Sequence, residues 1–130
     1  MLPAIYYNCI ETTPLGIREA YFDPYGSRLM AEEKYNGKVF VFKNIEVLES
    51  TLDVSGSDYL WIDSIKCRAA NPGDINKLKP GQVVDIVGMM QGIADSSGQP
   101  GALLMTECFF LPAGSLALPV SGGPAFNPGY

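Results

Sequence analysis

Between residues 38 and 48 apolar side chains fill nearly every position. Val39 and Val41 alternate with Phe40 and Phe42, and then Lys43-Asn44 breaks the period before Ile45 and Val47. β-Branched and aromatic residues in a short run predict a strand. The interruption predicts a bulge, which bends a strand by inserting one residue, and Asn44 tolerates the left-handed backbone a bulge uses. Residues 58–62 and 65–69 alternate around Asp63-Ser64 and predict a two-residue hairpin. Its register would set Tyr59 opposite Arg68, Leu60 opposite Cys67, Trp61 opposite Lys66 and Ile62 opposite Ile65. Leu60, Ile62, Ile65 and Cys67 then face inward, and Tyr59, Trp61, Lys66 and Arg68 outward. Asn71-Pro72-Gly73-Asp74 predicts the start of a short helix running to Leu78. From Leu78 a Pro80-Gly81 turn launches Val83-Val84-Asp85-Ile86-Val87-Gly88, read as a strand over 82–90 with its β-branched run stopping at the glycine. A loop over 93–101 and a last strand over 102–110 complete the pattern.

Upstream, residues 1–10 are uncharged and read as extended. Ile17, Ala20 and Tyr21 follow at helical spacing, with Gly16 weakening the pattern. Asp23-Pro24-Tyr25-Gly26 has the residue order of a type I turn. Ser27 is a candidate N-cap for a helix over 28–35, ended by Asn36-Gly37.

Strand, hairpin, helix and hairpin in that order predict an all-β chain with one short internal helix, arranged as a five-stranded OB barrel. At 130 residues the chain is long enough for one core and not for two. Tyr35-Asn36-Gly37-Lys38, Cys67, Leu78-Lys79-Pro80-Gly81-Gln82-Val83 and Glu107-Cys108 resemble the tRNA-anti-like OB-fold family of small bacterial proteins. The resemblance covers about residues 30–111. It implies a barrel there, an N-terminal extension over 1–29 and an uncharged Pro/Gly-rich C-terminal arm over 112–130. It implies a fold rather than a reaction. Asn44 stands where that family usually has glycine. Many of its members look like exported lipoproteins, whereas here Tyr7 and Asn8 before Cys9 spoil a lipoprotein-type cleavage site. No basic, then apolar, leader is read at the N-terminus, and the compartment is left open because a mature exported chain would look the same.

Composition narrows the chemistry. There is no histidine, so the commonest general base and metal ligand is missing, and Ser or Cys nucleophiles have no imidazole to activate them. Asp53, Asp58, Asp63, Asp74, Asp85 and Asp95 are scattered singly. Of these only Asp85, between Val84 and Ile86, borders apolar residues, and strand alternation offers it an outward position. Asp95-Ser96-Ser97-Gly98 lacks the spaced carboxylates and final Glu of a calcium loop. Cys9, Cys67 and Cys108 have no zinc spacing and read as small buried apolar residues, Cys67 and Cys108 above all. Those two could join in a disulfide only if their side chains face each other. We therefore expect no enzyme, no metal and no cofactor. No apolar run is long enough to span a bilayer.

Two features remain as candidate binding surfaces. Tyr59, Trp61, Lys66 and Arg68 put two aromatics and two cations on one hairpin face. Single-stranded nucleic-acid sites use that combination, and so do protein interfaces. A net charge of −5, with Asp53, Asp58, Asp63 and Asp85 read as crowding the region, favours protein. The second feature is the distribution of charge. All 9 Lys and Arg and all 14 Asp and Glu lie between Glu11 and Glu107. Solvated tails are normally rich in charge, but the arm carries Leu116, Leu118, Val120, Phe126 and Tyr130 instead. Arm residues 116–120 could add a strand to an exposed edge, with Pro119 confining it to an edge role. The expectation is a non-catalytic binding or assembly module whose partners are proteins, including copies of itself. The alternative is single-stranded nucleic-acid binding.

Overall fold

The structure is a computed structural model that describes residues 9–22, 26, 28–48, 58–94 and 102–114. Strand β1 (Ile10–Thr12) leads into helix α1 (Pro14–Tyr21), and helix α2 (Arg28–Tyr35) leads into strand β2 (Val39–Glu46). The β3 (Tyr59–Ile62) and β4 (Ile65–Ala69) hairpin is followed by a 3-10 helix (Pro72–Lys77), β5 (Val83–Ile93) and β6 (Leu103–Pro112). The six strands form one mixed sheet in the order β1-β2-β5-β6-β4-β3. The β1–β2 and β4–β6 pairs are parallel and the rest antiparallel. The chain is thus mostly β, and the sheet is not closed among the described residues.

Each turn has a local cause. Thr13 caps α1, its hydroxyl accepting the Gly16 N–H at 3.0 Å, with Pro14 at a position where the missing N–H costs nothing. The α2 helix falls where the sequence placed it, although Ser27 and residues 23–25 of the expected turn lie outside the described residues. The hairpin register is the expected one in all four pairs. Its two-residue turn puts Asp63 at φ 47° and Ser64 at φ 68°, the left-handed pair of a type I′ turn. Asn44 takes φ 56° where the β2–β5 register shifts between Phe42 and Ile45, so the interruption is a bulge. Lys79-Pro80-Gly81-Gln82 closes a turn, with the Gln82 N–H donating to Lys79 O at 3.1 Å and Gly81 at φ 89°. The turn also locks onto β2, since Gly81 N–H donates to Val47 O and Val47 N–H to Gln82 O.

Three expectations change. Residues 10–12 form a strand that pairs in parallel with Phe40–Phe42. β5 does not end at Met90 but runs on through Gly88 to Ile93. A Cβ built at Gly88 would lie 2.5 Å from Cys108 Sγ, so glycine is there for close packing rather than termination. β6 continues to Pro112, two residues past its expected end.

The sheet buries both of its faces. One face carries Phe40, Phe42, Val84, Ile86, Met90, Leu103 and Met105 into the main core. Ile17 and Tyr21 of α1 and Ala31 and Tyr35 of α2 pack into that same core, so the N-terminal extension shares it. The Tyr21 hydroxyl donates to Asn36 Oδ1 at 2.5 Å and fixes α1 to the end of α2. The other face carries a smaller cluster, described below.

Candidate functional site

The hairpin face is built from alternating residues of β3 and β4. Tyr59 and Trp61 stand edge to face, with ring centroids 6.4 Å apart and planes at 90°. Lys66 reaches diagonally rather than straight across: its Nζ lies 4.2 Å from the Tyr59 ring centroid. Arg68 turns to Asp58, Nε to Oδ2 at 3.7 Å. Such contacts at exposed positions are worth about 0.2–1 kcal/mol each. Their consequence is geometric. Perpendicular rings do not make one flat stacking platform, and both cations already have partners within the hairpin. Asp63 stays at the turn, whereas Asp85 lies elsewhere, on β5, which β6 separates from the hairpin, and Asp53 lies outside the described residues.

The second surface is the outer face of β2, β5 and β6. Val39, Val41 and Val87 form its centre, and Cys9, Met89, Phe109 and Leu111 pack around them. Among the described residues, every member of this cluster comes from those three strands or from Cys9. Both helices and the 3-10 helix contribute instead to the main core. Polar pairs stand beside the apolar centre. Lys43 Nζ meets Glu11 Oε1 at 3.6 Å on the β1–β2 side, and Gln91 Nε2 donates to Thr106 Oγ1 at 2.7 Å on the β5–β6 side. Val41 and Val87 are 0 % exposed and Val39 6 %, so the centre of this face is buried within the chain.

Asp85 lies at one end of this face, two residues before Val87 and opposite Leu111. Its outward position is as expected, but it is only 1 % exposed. Oδ1 accepts the Asn44 N–H at 2.9 Å and Oδ2 the Gly114 N–H at 3.2 Å. A buried carboxylate requires such donors. It ties the β2 bulge to the end of β6.

The cysteines separate into two kinds. Cys67 and Cys108 are buried, free thiols in the main core, and their side chains do face each other. Each lies 3.8 Å from a carbonyl oxygen, Cys67 from Ile65 and Cys108 from Thr106. A hydrogen bond with the Cys67 thiol, then burial, pushes the Cys108 thiol well above 9.0. Cys9 is a free, half-buried thiol on the outer face, raised by burial against the opposing effects of a backbone hydrogen bond and nearby Lys43.

Among the described residues no three Cys, Asp or Glu side chains gather to hold a metal ion. No described helix is long and apolar enough to cross a membrane. The arm residues Leu116, Leu118, Val120, Phe126 and Tyr130 lie outside the described residues. The outer face was missed in the sequence, yet its signal is there: Val39-Phe40-Val41-Phe42 and Phe109-Phe110-Leu111 have no polar alternation, as strands covered on both faces do not. Comparison with protein-family models, with curated proteins and with solved structures finds no match.

Proposed function

We propose that this chain is a non-catalytic OB-type module that acts through protein–protein contacts and self-associates through its uncharged terminal segments. The observation that carries the reading is the distribution of charge: all 9 Lys and Arg and all 14 Asp and Glu lie between Glu11 and Glu107, which leaves uncharged segments on either side of a chain that also carries a second apolar cluster on the outer face of β2, β5 and β6. The uncharged segments both join the described chain beside it, at Cys9 and at Gly114.

An OB barrel is proposed on the strand neighbours β2-β5-β6-β4-β3, with the short 3-10 helix between β4 and β5. In that proposal β2 and β3 also meet, which would close the sheet, and the kinship with the tRNA-anti-like family stands on the same topology and the quoted motifs. Fold alone assigns no function.

Light scattering of the full chain and of a chain ending at Gly114 tests the reading. The full chain is expected as a multimer and the shortened one as a folded monomer. A monomeric full chain overturns the proposal.

Nucleic-acid binding at the hairpin is the weaker reading, because Lys66 and Arg68 are engaged by Tyr59 and Asp58. Titrating a single-stranded oligonucleotide at low salt is expected to leave Trp61 fluorescence unquenched. Strong quenching that salt reverses would favour the nucleic-acid reading instead.

A further inference from the structure

Two backbone devices bring Cys108 into the main core. Met105 stands opposite Cys67 and Cys108 opposite Ala69, so three steps along β6 match two along β4. In a regular strand, residues three apart face opposite sides. Here Met105 and Cys108 are both fully buried in the same core. The extra step falls beside Glu107, whose φ of 53° is a left-handed conformation that glycine adopts at far lower cost. Such a bulge re-aims the side chain next to it. The second device is Gly88 of β5, where a Cβ would lie 2.5 Å from Cys108 Sγ. A strained residue on one strand and a glycine on its neighbour thus converge on one sulfur. There the Cys108 thiol hydrogen-bonds with the Cys67 thiol.

We propose that Cys67 and Cys108 close into a buried disulfide when the chain folds in the presence of a small-molecule disulfide such as oxidised glutathione, cross-linking β4 to β6. Neighbouring strands lie about 4.8 Å apart, within the span of about 4.4–6.8 Å between the Cα atoms of a disulfide. The thiol contact closes the offset along the strands. Chemistry favours this over other uses of two thiols. A nucleophile or a metal ligand acts as the thiolate, and an apolar core opposes that charge, whereas a disulfide is neutral. Both cysteines are 0 % exposed, so exchange takes place before the core closes. One cysteine thiolate attacks the small disulfide and expels a first small thiol. The other attacks the mixed disulfide so formed and expels a second. Two protons leave the cysteines and two electrons pass to the small disulfide, which ends as two thiols. Among the described residues the β3–β4 hairpin joins the rest of the sheet only through the β4–β6 pair, the seam that the bond would staple. It would link positions forty-one apart in sequence, and a disulfide restricts the unfolded chain more the longer the loop it closes. The bond forms within one chain and does not depend on the self-association proposed above.

The full chain, reduced and unfolded in denaturant, is refolded by dilution into oxidised and reduced glutathione, and in parallel into reductant alone. Free thiols are then alkylated, and peptide mapping by mass spectrometry locates any bond. The expected product carries a Cys67–Cys108 disulfide and an alkylated Cys9, and melts about 10 °C above the chain refolded in reductant. The Cys9→Ser chain is expected to give the same bond and the same shift, and the Cys108→Ala chain no shift. Alkylation of both Cys67 and Cys108, stable glutathione adducts on them, or a bond from either to Cys9 overturns the proposal. So does a Cys67–Cys108 product that melts no higher than the reduced chain, because the bond would then not fit the native spacing.

Discussion

Asp63 and Ser64 form a two-residue turn with φ of 47° and 68°, a conformation that asparagine and glycine adopt at far lower cost. Replacing the pair by Asp63→Asn with Ser64→Gly is expected to stabilise the fold by about 1 kcal/mol. For a chain of this size that raises the melting temperature by roughly 3–5 °C, readable by thermal denaturation. No increase would mean that side-chain contacts at the turn outweigh backbone strain. Asp85 has the opposite character. Asp85→Ala leaves the Asn44 and Gly114 N–H groups without their acceptor, at about 1–3 kcal/mol for each that stays buried. A lowered denaturation midpoint is expected, and an unchanged one would show the carboxylate to be dispensable.

At the scale of elements, β5 and β6 depend on one close approach. Gly88 faces Cys108 Sγ at the point where Glu107 takes φ 53° and the β5–β6 register shifts. Gly88→Ala is expected to cost about 1–3 kcal/mol by overpacking. Cys108→Ala removes the obstructing sulfur, so the double variant should lose less than the sum of the single losses; strict additivity would deny the contact. Much of this level was legible in sequence. The hairpin register followed from alternation around a two-residue turn, and the β2 bulge from Lys43-Asn44. The Gly88 contact was not legible, because a glycine inside a β-branched run marks either an end or a close approach, and the partner Cys108 is twenty residues away. β1 was hidden too, since three residues carry no period and pair only through the parallel register with β2. The outer face escaped because apolar runs fix burial but not which of two sheet faces needs a cover.

The whole molecule responds to pH through groups kept protonated in the fold. Cys108 is raised well above 9.0, by its bond with Cys67 and by burial, and burial also raises Tyr21 above 10.0. In the unfolded chain these groups release protons at lower pH than in the native one. The unfolded state then binds fewer protons, so stability falls as pH rises from about 9 upward. Denaturant midpoints across that range are expected to decline, first through Cys108 and then through Tyr21. Tyr21→Phe should flatten the later part of the decline; constant midpoints throughout would contradict the assigned burial. Self-association is also a property of the whole chain, and it is the central claim. Apolar docking is not screened by salt, whereas association through exposed charges weakens within the short Debye length of about 3 Å at 1 M salt. Sedimentation velocity of the full chain at low salt and at about 1 M salt tests this most directly. The expected result is a multimer that persists or grows at high salt. A monomer at both salt concentrations, or a multimer that dissolves at the higher one, would contradict it.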